Sequence, residues 1–406
     1  MIGKISGIVL ALVIVVGLAG LATLLSPVLA DDPVVTFPNA QLDSAIREAI
    51  GKPTGDIYQS DLEGLTSLDA SDKYILYITG LEYCVNLTML DLSNNEISDI
   101  LALSSLTNLT TLNLRRNRIS DISPLSSLTN LTTLDFSRNE ISGISPLSSL
   151  TNLTTFDLGF NEIFDISPLS SLTNLTTLDL GGNEISDISP LSSLTNLTAL
   201  NLGGNEISDI SPLSSLTNLT GLHLSFNWIS DISPLSSLTN LTTLGIGYNW
   251  ILSDISLLSS LTNLTTLDLD YNRISDISPL SSLTNLTELY LRSNRISDIS
   301  PLSSLTNLTE LALRSNRISD ISPLADNIGL DEGDKVDLES NYLDLAPDSQ
   351  ARNDIQTLLD RGVSVSYSPQ KEIPLIPLKP LLIGGIIAGV VAVGLVIFFV
   401  RRRKAA

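Results

Sequence analysis

The chain has 406 residues, with 44 Asp or Glu against 22 Lys or Arg, one histidine, one cysteine and two tryptophans. Lys4, Arg401, Arg402, Arg403 and Lys404 lie at the extremities, which leaves 17 basic and 44 acidic residues between 31 and 380, a net charge of −27. So acidic a stretch excludes general nucleic-acid binding, which needs a basic footprint, and a lone Cys84 excludes intramolecular disulfides.

Residues 1–30 carry Lys4, a long apolar run and Val28-Leu29-Ala30 before Asp31, the pattern of a secretory signal. In "PNAQLDSAIREAIG", Leu42, Ala45, Ile46, Ala49 and Ile50 recur at helical spacing and Gly51 supplies the stop. A 22-residue period follows. "ISDISPLSSLTNLT" occurs verbatim six times, and asparagines recur at Asn95, Asn117, Asn139, Asn161, Asn183, Asn205, Asn227 and Asn249. After a one-residue insertion near Leu252 they continue at Asn272, Asn294, Asn316 and, in a looser copy, Asn341. The unit from Leu109 places Leu109, Leu112, Leu114, Ile119, Ile122, Leu125 and Leu128 inward. One unit cannot bury seven large aliphatics, but stacked neighbours can, so Leu112 and Leu114 predict short strands in a parallel ladder. Each recurrent asparagine is expected inside, its amide satisfying backbone groups where the chain leaves the strand. The proline-containing return path predicts a 3₁₀ or extended segment. Cys84 stands where Leu106 stands one unit later, so it is expected in the core.

Beyond the array, "DSQARNDIQTLLDRG" predicts a helix and "VSVSY" a last strand. A proline-rich stretch, 368–380, leads into twenty uncharged residues, Leu381 to Val400, long enough to cross a bilayer, with the basic tail 401–406 as a stop signal. Gly385 and Gly389 form a pair that permits weak dimerisation of such spans. The expected placement is a single-pass cell-membrane protein with its N-terminal part outside.

The repeat L-x-x-L-x-L-x-x-N-x-I-S-D-I-S-P-L, over about residues 65 to 345, resembles the 22-residue leucine-rich repeat of the internalins and related bacterial and archaeal surface proteins. That resemblance implies an α/β solenoid, a horseshoe of about 12–13 repeats with its β ladder on the concave face. It also implies a helical N-terminal cap over 31–64 and a C-terminal cap over 346–367. One departure is that "PQKEIPLIPLKP" lacks the Leu-Pro-x-Thr-Gly sortase pattern, so host invasion is not carried over.

The return path hardly varies between units, apart from Gly143, Phe164, Leu101-Ala102 and the Leu252 insertion with Leu257; variation concentrates in residues that alternate with the core leucines or flank the asparagine, expected to point outward on the concave face. His223, Phe226 and Trp228 occupy such positions, and Tyr248, Trp250, Tyr271 and Tyr290 extend the aromatic group. Gly181, Gly203, Gly221, Gly245 and Gly247 predict a floor without side chains beside it. Glu140, Glu162, Glu184 and Glu206 form an acidic column, with Asp135, Asp157 and Asp179 beside it. Arg273, Arg295 and Arg317 form a basic one flanked by Arg292 and Arg314, with Glu288 and Glu310 placed to neutralise it. Two readings of the rings stay open: cross-strand stacking that stabilises the ladder, or a binding hot spot.

The eleven Asn-Leu-Thr triplets from Asn86 to Asn307 match the glycosylation pattern but follow from the repeat itself. With one histidine and no nucleophile–base set, metal cluster or phosphate loop, neither catalysis nor a cofactor is expected. The function these residues point to is surface recognition or adhesion. The expected partner is an extracellular or envelope protein gripped by the concave face through His223, Phe226, Trp228, Tyr248, Trp250, Tyr271, Tyr290, Arg292, Arg295, Arg314 and Arg317. A surface glycan on the same rings, or a structural spacer without a ligand, are the alternatives.

Overall fold

A computed structural model describes residues 32–249 and 253–371. Residues 1–31, 250–252 and 372–406 lie outside it, and with them the signal, the membrane-span, the Gly385/Gly389 and the Trp250 readings. Among the described residues no helix is long and apolar enough to cross a membrane.

Fourteen three-residue strands, from Ser67–Asp69 to Ser364–Ser366, form one parallel sheet in strict chain order. Adjacent strands pair in register, Leu222 with Leu200 on one side and Leu244 on the other. The strands outnumber the expected repeats because Ser67–Asp69 and Ser364–Ser366 extend the ladder at both ends. The alternation that predicted the strands holds. Leu112 and Leu114 are fully buried, as are Leu109, Ile119, Leu125 and Leu128, with Ile122 at 1% exposure. The return paths from Leu81–Tyr83 to Ser300–Ser304 are single 3₁₀ turns such as Ser123–Ser127, with Pro124 in its first turn and the Asp121 carboxylate accepting from Ser123 N–H at 2.8 Å; the next, Ser322–Ala325, is a short α-helix. The insertion near Leu252 leaves the sheet undisturbed: Thr243 still pairs with Thr266 and Gly245 with Asp268.

At the N-terminal end, Ala40–Ile50 is a helix capped by the Asn39 side chain on Leu42 N–H (2.9 Å) and closed by Gly51 at φ 66°. Leu42, Ala45 and Ile46 enter the same apolar cluster as the first strand, whereas Ala49 stays exposed. At the other end helix Gln350–Asp360 buries Ala351, Ile355 and Leu358. Cys84 is a core residue, and burial pushes its thiol up to about 12.

Hydrogen bonds explain why the return path is monotonous. Inside, Asn205 Nδ2 donates to Leu180 and Leu202 carbonyls (both 3.0 Å) and its Oδ1 accepts from Ile185 N–H (3.0 Å). The same set recurs from Asn95 to Asn341; the exception is Asn272, whose Oδ1 has no partner among the described residues, beside the insertion. Outside, the Asn-Leu-Thr asparagines form a second ladder: Asn218 Nδ2 donates to the Thr195 carbonyl at 2.9 Å, and all eleven bond the preceding rung in this way. Serine and threonine hydroxyls add two more ladders, as Ser215 to the Ser192 carbonyl and Thr220 to the Thr198 carbonyl. The return path repeats because its polar side chains carry bonds that repeat.

Candidate functional site

The positions that vary are those the ladders do not use. Just before each interior asparagine the chain turns in the left-handed region: glycine at Gly182 (φ 70°) and Gly204 (φ 69°), rings at Phe160 (57°), Phe226 (60°), Tyr248 (57°) and Tyr271 (53°), and Asn, Arg or Ser in the other units. Strand register then places the last three one rung apart. Phe226 stacks on Tyr248 with centroids 4.0 Å apart and planes at 14°, and Tyr248 stacks on Tyr271 at 4.1 Å and 15°. Two such stacks are worth about 0.5–1.5 kcal/mol each. Three non-glycine residues in the left-handed region cost about 1 kcal/mol each. Stacking and backbone strain therefore roughly offset one another, and Gly182 and Gly204 show that glycine fits the same turn. Phe226 and Tyr271 nevertheless remain 57% and 47% exposed.

The other sequence-predicted rings do not join this stack. Trp228, 56% exposed, lies one residue past the interior asparagine, in a parallel column. Tyr290 stands on strand Glu288–Tyr290, its hydroxyl on Glu288 at 3.2 Å and the Arg292 guanidinium 5.5 Å over its ring. Burial foremost pushes the phenols of Tyr248 and Tyr290 up to about 12, so both present neutral hydroxyls. His223 is exposed on strand Gly221–His223.

The open glycine floor is corrected by the structure. A Cβ on Gly181 would meet Asn201 Nδ2 at 2.8 Å, one on Gly247 the Asp268 carboxylate at 2.9 Å, and one on Gly245 His223 Nδ1 at 3.0 Å. Rungs ~4.8 Å apart are closer than these side chains are long, so each lies across its neighbour's glycine. Only Gly221 and the turn glycine Gly204, with nothing nearer than 3.5 Å, leave space in this stretch.

The charges also sort differently from the expectation. Arg292 reaches Asp270 (3.4 Å) and Asp337 (3.8 Å), and Arg314 reaches Glu339 (2.7 Å). Glu288 and Glu310 do not neutralise the basic column: the first serves Tyr290, the second Lys335 at 3.8 Å. Both stand on strands, Glu288–Tyr290 and Glu310–Ala312. Among the described residues, no carboxylate comes within ion-pair distance of Arg273, Arg295 or Arg317, and all three are exposed. Sequence reading missed Lys371, which arrives from beyond the last strand, donates to the Asn316 carbonyl at 2.8 Å and lies over Tyr342 at 5.2 Å. No local signal marks it, because its hydrogen-bond partner lies 55 residues upstream. Burial raises the Asp157 and Asp270 carboxyls to about 6, against the hydrogen bonds they accept from Gly159 and Arg292 N–H. Among the described residues no cluster of His, Cys, Asp or Glu is arranged to hold a metal ion.

Fold and surface together define a leucine-rich repeat scaffold, and comparison with known proteins agrees. The model for leucine-rich repeats in two-copy units matches residues 85–127, 129–171, 173–215, 217–252, 239–282 and 284–326. An internalin of Listeria monocytogenes, InlF, is 36% identical over 85% of this chain and 100% of its own, with a TM-score of 0.77. Internalin C2 of the same organism is 40% identical over 53% of this chain and 98% of its own, at 0.52. The chain belongs to the internalin-type leucine-rich repeat proteins. The plant receptor RGFR1, solved in complex with the peptide hormone RGF2, is 25% identical over 77% of this chain and 53% of its own, at 0.62. No curated protein sequence matches the chain.

Proposed function

We propose that this is a membrane-anchored cell-surface recognition and adhesion protein. Its outward sheet face, centred on Phe226, Tyr248, Tyr271 and Trp228, grips a protein partner. One observation carries the reading: large exposed rings occupy the columns that no ladder bond requires, at turn positions where glycine fits at least as well. Exposed aromatic groups of this kind are the usual anchors of protein interfaces. The plant receptor relative, solved with a peptide hormone, supports recognition by this scaffold.

The stacking favours a protein over a glycan. Rings at 4.0 and 4.1 Å cover both faces of Tyr248 and one face each of Phe226 and Tyr271, which reduces the free face on which a sugar would stack. In this reading residues 1–30 are the export signal, 31–64 and 346–367 close the array, and the apolar run 381–400 anchors it with the N-terminal part outside. Protease added to intact cells should then remove the array and spare only the C-terminal fragment; full resistance would end the placement.

The recognition reading is tested by retention of envelope proteins on the immobilised chain and on a Phe226→Ser, Tyr248→Ser, Tyr271→Ser variant of unchanged circular dichroism. A protein held by the parent and lost from the variant supports it. Identical retention by both assigns the rings to the ladder and favours a spacer.

A further inference from the structure

Resting on the recognition reading above, we infer that the left-handed column holds a slot at Gly204 for a planar cation, the guanidinium of an arginine presented by the protein partner. The column is a stack with a gap. Arg138 lies over the Phe160 ring at 4.3 Å, Gly182 and Gly204 follow, and Phe226, Tyr248 and Tyr271 resume the stack. The backbone runs evenly through the gap. Phe160 donates its N–H to the Gly181 carbonyl at 2.7 Å, Gly182 to Gly203 and Gly204 to Ser225 at 2.8 Å, and Phe226 to Gly247 at 3.0 Å. Only side chains are missing there.

The two walls are ring faces. A Cβ on Gly182 would stand 2.8, 3.1 and 3.2 Å from Cδ1, Cε1 and Cγ of Phe160, three consecutive ring atoms. Distances so nearly equal put that point over the face of the ring and not beside its edge, so Phe160 turns a face toward the gap. Its other face takes Arg138. Phe226 gives one face to Tyr248 and turns the other toward Gly204. At Gly204 only the Gly182 backbone, at 3.5 Å, lies within 4 Å of a Cβ position. Phe160 takes up the Gly182 space, and the two rung spacings that remain before Phe226 amount to ~10 Å. The 4.0 Å stacking distance of Phe226 on Tyr248, taken twice, fits that width. One planar group fills it. Phe160 is 56% exposed and Gly204 is exposed, so the slot opens to solvent.

The flanks decide the charge. Glu162, Glu184 and Glu206 stand two residues past Phe160, Gly182 and Gly204, on three successive rungs, and all are exposed. Among the described residues no cation comes within ion-pair distance of them. On the opposite flank the Asp179 carboxylate, which accepts from Gly181 N–H and Asn201 Nδ2, adds to the negative field. A lysine would answer the charge but not the plane, and an aromatic side chain the plane but not the charge. A guanidinium has both: its faces lie on rings while its edge donates to carboxylates. The chain itself uses this packing where Arg138 meets Phe160.

The test uses the full chain in non-ionic detergent with N-acetyl-arginine amide as the probe, read by saturation-transfer NMR. N-acetyl-lysine amide and N-acetyl-tryptophan amide are the comparisons, and the arginine probe should bind at least about fivefold tighter than either. G204F, whose ring the same turn accepts at Phe226, fills the slot and should weaken the arginine probe by about tenfold or more. G204S, a residue the turn accepts at Ser293 and Ser315, leaves the slot open and should bind within about twofold of the parent. E184Q/E206Q should weaken binding several-fold and reduce its salt dependence. If G204F fails to fold, the ranking of the three probes, G204S and E184Q/E206Q decide in its place. No saturable binding of the arginine probe, equal binding of all three probes, or a folded G204F that binds as the parent does overturns the slot. An envelope protein lost from the Phe226→Ser, Tyr248→Ser, Tyr271→Ser variant but retained by G204F overturns it too, and leaves the recognition reading standing.

Discussion

Replacing Asn205 by leucine keeps the volume and removes the hydrogen bonds, so it isolates what the interior ladder contributes. Three groups lose a partner: the Leu180 and Leu202 carbonyls and the Ile185 N–H. The carbonyls are not orphaned, because Asn183 still donates to Leu180 at 3.0 Å and Asn227 to Leu202 at 2.9 Å. The Ile185 N–H is left buried and empty, at about 1–3 kcal/mol. Two weakened carbonyls add about 0.5–1 kcal/mol each, and the apolar burial of leucine returns about 1 kcal/mol. The expected loss is about 1–4 kcal/mol, read as a lower urea midpoint with faster amide exchange at Ile185. Asn218→Leu, on the exposed ladder, is the control and should cost less than about 1 kcal/mol. A midpoint unchanged in Asn205→Leu, or shifted equally in both, would show that the interior asparagines do not hold the turns.

Tyr248→Gly should cost no more than about 2 kcal/mol of stability in urea unfolding, since relief of the left-handed backbone offsets part of two lost stacks; a loss above about 3 kcal/mol would assign the column to stability. Asp157 binds its proton more tightly folded, at about 6, than unfolded, at 3.8. Its contribution is therefore complete below pH 4 and lost as pH rises through 6, about 1–2 kcal/mol after solvent screening. Asp157→Asn, which the array already accommodates as Asn113 and Asn201 in the same column, should raise the midpoint at pH 7.5 and flatten the rise from pH 7.5 to 5. An Asn variant with the parent's full pH slope would contradict that assignment.

The ladder was legible because period and alternation are properties of neighbouring residues: Leu112 and Leu114 predict their own burial, and Cys84 its place, by alignment with Leu106. The aromatic column was legible as a group, but its partition into a three-ring stack, a separate Trp228 and a Tyr290 bonded to Glu288 depends on which way each residue leaves the backbone. The glycine floor failed for a related reason. A glycine in sequence is a vacancy only if no longer neighbour crosses it, and Asn201, His223 and Asp268 do. Glu288 and Glu310 lie near the basic column in sequence but project from the strand, so proximity along the chain overestimated pairing. Lys371 was invisible because its place depends on the fold of the whole C-terminal end.

The claim that the outward sheet face is the recognition surface is tested most directly by carbene footprinting of side chains in intact cells against the purified, diluted protein. The account predicts protection of Phe226, Trp228 and Tyr271 together with Arg295 in cells, and none on the Ser-Pro-Leu-Ser-Ser turns of the opposite side. Protection confined to those turns, or equal labelling of the rings in both states, would contradict it.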